Sequence, residues 1–315
     1  MEHFSVMLKE TIDGLDIKDD GIYVDATLGR AGHSLQIVKK LKSGKLIAFD
    51  KDIEAINKSR IVLEDHLDKV IFIHDDFSNI RKHLDELNID HIDGFVMDLG
   101  VSSPQFDDAS RGFSYRFDAR LDMRMDQSQS KDAYKIVNEY SFNDLCFILR
   151  NYGEEKFAKQ IARAIEKQRS IKPIETTFEL VDVIKSALPS KVLSKKGHPA
   201  KQTFQALRIE VNTELTSLAS GLEDALDSLK IGGIGAVITF HSLEDRIVKN
   251  MFKDRCSIEK IDSRIPIRDI DIKKADYELV NKKPILASEE ELSVNNRSHS
   301  AKLRIIKRLS YGKDR

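Results

Sequence analysis

Between residues 21 and 100 the chain repeats one arrangement: apolar runs at 21–27, 45–50, 70–74 and 92–99, separated by amphipathic stretches at 35–41, 53–61 and 80–87. Runs that are apolar at almost every position must be covered on both faces, and the intervening helices supply that cover. The spacing therefore predicts βαβ units and an α/β fold with a mostly parallel sheet. A fifth run at 235–240, a helix at 243–252 and a closing run at 301–307 fit the same sheet. Residues 105–209 interrupt it. They hold no convincing buried strand but several amphipathic helices, at 133–140, 142–149 and 154–168. The expected organisation is a discontinuous sheet domain, 1–104 with 210–315, carrying a helical insertion at 105–209. Residues 257–296 read as polar and without a defined element.

Composition excludes several classes. The longest apolar run, 231–240, contains three glycines and is too short to span a bilayer. The first 15 residues lack the basic flank and apolar stretch of a signal peptide. Two cysteines, Cys146 and Cys256, show no pairing pattern, which suits a reducing cytoplasm. Net charge is −1, yet segments 150–210 and 297–315 each carry +6, which leaves −13 on the remainder. An acidic body with two basic patches fits local contact with a polyanion, and also fits solvated helix faces.

In a doubly wound sheet the ligand lies beyond the carboxyl ends of the strands. Four such ends carry chemistry here. Gly29 and Gly32 open the turn after the first run. Asp50, 21 residues after Gly29, stands near the spacing of a ribose-binding acid. Asp76 and Phe77 offer an acceptor and an aromatic face to a purine, and Asp98 precedes Ser103-Pro104-Gln105-Phe106. An adenosine-containing cofactor uses all four ends. The turn lacks the GxGxxG of a dinucleotide site and there is no GxxxxGK[ST], so S-adenosylmethionine fits better than NAD. Each residue taken singly has a plainer reading as turn, helix cap or core. No HExxH or cysteine–histidine ligand pattern is present, so no catalytic metal is expected.

The motifs resemble one family, the RsmH (MraW) methyltransferases. The resemblance is carried by Asp25-Ala26-Thr27-Leu28-Gly29-Arg30-Ala31-Gly32-His33-Ser34, by Asp98-Leu99-Gly100-Val101-Ser102-Ser103-Pro104-Gln105-Phe106-Asp107 and by Arg111-Gly112-Phe113-Ser114-Tyr115. Further matching segments lie at 3–10, 121–126, 151–155, 201–209, 240–246 and 296–304. The resemblance implies a class I S-adenosylmethionine-dependent methyltransferase, Rossmann-like, with an inserted helical domain that helps recognise RNA. It implies methylation of N4 of a P-site cytidine in 16S rRNA, with the 30S subunit as partner and the cytoplasm as location. It implies cofactor contacts at Ala31, Gly32, His33, Asp50, Phe77, Asp98 and Gln105. Ala31 stands where the family's turn carries glycine, which is tolerable at negative φ and unfavourable at positive φ.

A cytosine amine is a weak nucleophile because its lone pair is delocalised into the ring. Groups that accept its N–H bonds and hold it in line help the transfer. The candidates are Asp98, Ser103 and the Pro104 carbonyl, with Phe106 as a stacking ring. Asp118, Asp122 and His241 read as scaffold. On a helical wheel of 154–168, Phe157, Ile161, Ala164 and Ile165 gather on one side. Lys156, Lys159, Arg163 and Lys167 lie nearly opposite and are candidate phosphate contacts. Methylation of another amine such as adenine N6, or a catalytically silent RNA-binding assembly factor, are the competing readings.

Overall fold

Seven strands form one sheet: β1 (Ile22–Asp25), β2 (Lys45–Asp50), β3 (Val70–His74), β4 (Ile92–Asp98), β5 (Leu229–Thr239), β6 (Tyr277–Leu279) and β7 (Lys302–Arg308). Their order is β3-β2-β1-β4-β5-β7-β6. β7 runs antiparallel to both of its neighbours, and the other pairings are parallel. The computed structural model describes residues 5–258 and 275–311. The chain divides into two compact units, Met1–Gly100 with Leu215–Arg315, and Val101–Glu214. The boundaries thus fall at 100/101 and 214/215, where the sequence pointed to 104/105 and 209/210.

The central strands are largely apolar because the sheet has a core on each face. Tyr23, Leu46, Ala48, Val96, Ala236, Ile238, Leu303 and Ile305 enter one core. Their strand neighbours Val24, Ile47, Phe49, Phe95, Met97, Val237 and Ile306 enter the other. This is the period-2 alternation of a strand with both faces covered. Each large side chain fully buried this way contributes roughly 1.5–3 kcal/mol. The helix Gly32–Lys40 covers the first face through Ile37 and Val38. Helices Ile80–Glu86, Glu214–Ser228 and Ser242–Arg255 cover the second through Leu84, Leu222 and Phe252.

Three differences from the sequence reading have local causes. β5 starts at Leu229, not at 235, and its register with β4 shifts between Ile92 and Gly94. Lys230, Gly232 and Gly233 in that irregular stretch resemble a loop in sequence, and Gly232 does have φ +83. β6 went unrecognised because it is short and only Tyr277 of its residues is buried, donating its hydroxyl to Leu226 O at 2.8 Å. The helix expected at 154–168 spans Ala158–Arg169, and its buried face is Ala158, Ile161, Ala162 and Ile165. Phe157 is its N-cap and Ala164 is only half-buried.

The second unit has its own core, built on helices Ala133–Glu139, Phe142–Asn151, Ala158–Arg169, Thr177–Ala187 and Lys201–Asn212. Buried polar groups brace its entry loop. Arg111 donates to the carbonyls of Arg124 (2.9 Å) and Met125 (3.1 Å), and Asn212 Oδ1 accepts from Met125 N at 2.8 Å. Asp122 is chelated by the Arg124 guanidinium, and Asp118 accepts from Phe178 N at the start of the Thr177–Ala187 helix. Among the described residues no helix is long and apolar enough to cross a membrane.

Candidate cofactor site

Parallel pairing aligns the carboxyl ends of β1, β2, β3 and β4. Asp25 pairs with Ala48 and Val96, and Asp50 pairs with His74. Thr27 ties the first end to the fourth, since Asp98 N donates to its Oγ1 at 2.7 Å. Asp50 and Asp98 thus end the two parallel strands that flank β1, and Asp76 follows the end of β3.

The turn after β1 is a left-handed one. Gly29 has φ +50 and Ala31 has φ +61. For alanine that conformation costs roughly 1–2 kcal/mol, and the methyl is held there fully buried. Gly32 begins the following helix, and a Cβ on it would collide with Ser5 Oγ. No side chain caps this helix at Ala31.

Asp50 holds the turn in place. Its Oδ2 accepts from Gly29 N and its Oδ1 from Asp52 N, both at 2.8 Å. Burial nevertheless lifts its pKa to about 6 against these two bonds. Each oxygen keeps a lone pair for a hydroxyl donor. Asp76 caps the short helix after β3, accepting from Ser78 N (2.7 Å) and Ser217 Oγ (2.9 Å). Burial would raise its pKa, but Lys51 Nζ at 2.6 Å outweighs that and holds it low. Phe77 is half-buried, and its ring packs where a Cβ on Gly221 would stand.

Asp98 and His33 form the least compensated corner. His33 is 5% exposed, and burial presses its pKa down to about 4 despite the Val6 carbonyl. Burial raises Asp98 to about 7, partly opposed by the charge of Arg297 and reinforced by Asp25, Glu244 and Glu291. Among the described residues Asp98 Oδ1 and His33 Nε2 are buried with no hydrogen-bond partner. Buried polar atoms are nearly always partnered, so these two are atoms that a bound ligand or an ordered water would complete.

The other residues singled out in the sequence sit as follows. Gln105 is buried in the second unit, where its Oε1 accepts from Ser102 N at 3.1 Å. Phe106 packs onto that unit's core, its ring 6.5 Å from Phe113. Ser103 and Pro104 begin the helix Ser103–Asp107, and their side chains lie outside the described residues. Lys156, Lys159, Arg163 and Lys167 are all exposed, although Lys156 precedes the helix. His241 caps Ser242–Arg255 in a reciprocal box with Glu244. That helix is fastened to β7 by Asp245, which binds Arg304 at 2.8 Å.

Sequence reasoning missed four contributors. Asp25 is buried, accepts from Thr27 N (3.0 Å) and Ser34 Oγ (2.6 Å), and is raised by burial to about 6. Its place in the Asp25–Ser34 motif was the available signal. Ser5, Glu291 and Arg297 reach the corner only through tertiary folding.

The sequence model of the MraW methylase family matches residues 1–309 of the chain. A curated relative, ribosomal RNA small subunit methyltransferase H of Streptococcus dysgalactiae subsp. equisimilis, is 53% identical over 310 residues, covering 98% of each chain. Among solved structures, a putative rRNA-methylase from Clostridium thermocellum aligns with 14% identity and TM-score 0.47, over 98% of this chain and 100% of its own. A putative methyltransferase from Streptococcus mutans in complex with SAH gives the same four values.

Proposed function

The chain belongs to the MraW methylase family, and from that premise we propose that it methylates the exocyclic N4 amine of a P-site cytidine in 16S rRNA. It is an S-adenosylmethionine-dependent methyltransferase of small-subunit ribosomal RNA, with a class I Rossmann-like α/β fold. The finer target and the assembled 30S subunit as substrate are the proposed part, with the cytoplasm as the place of action.

The observation that carries the reading is the buried, unpartnered Asp98 Oδ1 at the end of β4. The residues fit the cofactor. Asp50 retains lone pairs for a ribose diol, the left-handed turn at Gly29–Ala31 brings backbone close, and Asp98 is an acid suited to a cationic group. Ala31, Gly32, His33, Asp50, Phe77, Asp98 and Gln105 would hold it. When bound, S-adenosylmethionine supplies an electrophilic methyl group on a cationic sulfur.

The chain's own part is positioning and proton handling. An ionised Asp98 stabilises positive charge at this end of the sheet and, through Oδ1, accepts an N–H of the incoming amine. That hydrogen bond localises the nitrogen lone pair. An acid poised at about 7 is also matched to taking the amine's proton near neutral pH. Ser103 and the Pro104 carbonyl, a few residues on, are the further proposed contacts to the amine. Unit 101–214 is the proposed RNA-recognition domain, with Lys156, Lys159, Arg163 and Lys167 against phosphates.

Incubation with methyl-labelled S-adenosylmethionine and either 30S subunits or protein-free 16S rRNA, followed by digestion to nucleosides, tests the proposal. Label in N4-methylated cytidine is expected. Label in N6-methyladenosine would move the target to another amine, and absence of label from both substrates would leave a silent RNA-binding factor.

A further inference from the structure

Two segments that resemble family motifs, one near each end of the chain, are bridged beside the corner formed by His33 and Asp98. Glu291 joins them. Its Oε1 accepts from Met7 N at 2.9 Å and also from Ser298 Oγ. Ser298 is 2% exposed and follows Asn295, which caps the short turn containing Arg297. Met7 lies at φ 50, ψ 38, a left-handed conformation that a methionine adopts only when its surroundings enforce it. Its carbonyl also accepts from Thr11 N (3.0 Å) and Thr11 Oγ1 (2.8 Å), starting the helix Leu8–Gly14. The bend at Met7 puts Ser5 against Gly32 and brings the Val6 carbonyl to His33. From the other segment, Arg297 acts on Asp98 through its charge.

We propose that Glu291 is a positioning residue for S-adenosylmethionine: it clasps the 5–7 segment to the 295–298 turn and so holds Ser5, Val6 and Arg297 around the Gly32, His33 and Asp98 corner. This inference rests on the cofactor reading of that corner. Glu291 need not touch the cofactor, because it acts through the two segments it joins.

Calorimetric titration of the full chain with S-adenosylmethionine comes first, because a wild-type protein that takes up none overturns the cofactor reading itself. In a wild type that binds, Glu291→Ala weakens affinity about tenfold or more, as expected for losing hydrogen bonds to a charged acceptor. Glu291→Gln, whose Oε1 still accepts from Met7 and Ser298, recovers most of that loss. Saturating S-adenosylmethionine restores most of the single-turnover rate lost in Glu291→Ala, so the defect lies more in cofactor affinity than in the chemical step. Without any cofactor, hydrogen exchange at the Met7 amide accelerates in Glu291→Ala. Ser298→Ala removes only one arm of the clasp and gives an intermediate loss, which keeps the test available should Glu291→Ala fold poorly. Wild-type cofactor affinity in both alanine variants, or a Gln variant as weak as the Ala variant, overturns the proposal.

Discussion

His33 Nδ1 stands 3.9 Å from Asp98 Oδ2, yet the two do not form a charged pair, since burial holds His33 at about 4 and lifts Asp98 to about 7. Between those values both side chains are neutral. The corner therefore becomes anionic only near neutral pH, and a cationic ligand is what favours that form.

The sign of the pH dependence follows. Asp98 sits at about 7 in the folded chain against an ordinary 3.8, so the folded state keeps a proton that the unfolded chain has released. Asp98's contribution to the stability of the cofactor-free protein falls as pH rises from about 4 through 7, while His33, neutral in the fold and charged in the unfolded chain, contributes with the opposite sign between about 4 and 6.5. Asp98→Asn lacks that burden. It should be more stable than wild type at pH 8, on the order of a few kcal/mol, and close to wild type at pH 4. Denaturant melts at both pH values check this. Calorimetry should show the reverse trend for S-adenosylmethionine in wild type, with affinity rising toward pH 8 and levelling off above.

Asp50→Ala should weaken S-adenosylmethionine binding by on the order of 1–3 kcal/mol. It should also destabilise the fold, because Gly29 N and Asp52 N lose their acceptor. Titration of a variant shown by circular dichroism to be folded separates the two effects. Unchanged affinity would remove Asp50 from the site.

Ala31→Gly should change stability by less than about 1 kcal/mol. Relief of the left-handed strain, roughly 1–2 kcal/mol, is offset by a lost buried methyl, about 0.8 kcal/mol, and by a freer unfolded chain, about 0.4–1 kcal/mol. A loss well above that in urea melts would contradict the conformation at φ +61.

Reversing two charges among Lys156, Lys159, Arg163 and Lys167 should weaken 30S binding. It should lower the slope of log affinity against log salt by about one per lost phosphate contact. Affinity for S-adenosylmethionine should not move. An unchanged salt slope would make the stripe solvated surface.

How far the sequence reveals this molecule differs by element. β2 and β4 were readable because both of their faces are buried, and β3, at the sheet's edge and half-buried, because its run 70–73 is still apolar at every position. The first half of β5 was not, because glycines at a register shift mimic a loop. β6 buries one residue and carries no pattern. At the site, Asp50 and Asp98 stood out as acids ending apolar runs. The left-handed φ of Ala31, the suppressed charge of His33 and the Glu291 clasp depend on tertiary burial and on a contact between residues 284 positions apart, which no local pattern encodes.

Asp98 is the pivot of the proposed chemistry, and single-turnover methylation at saturating S-adenosylmethionine and saturating 30S tests its role most directly. Asp98→Ala should lower the rate by roughly a hundredfold or more, the scale seen when one transition-state contact is removed. A separate binding curve should show 30S affinity unchanged. Near-wild-type turnover with both ligands saturating would contradict that role and transfer the positioning of the amine to Ser103 and the Pro104 carbonyl.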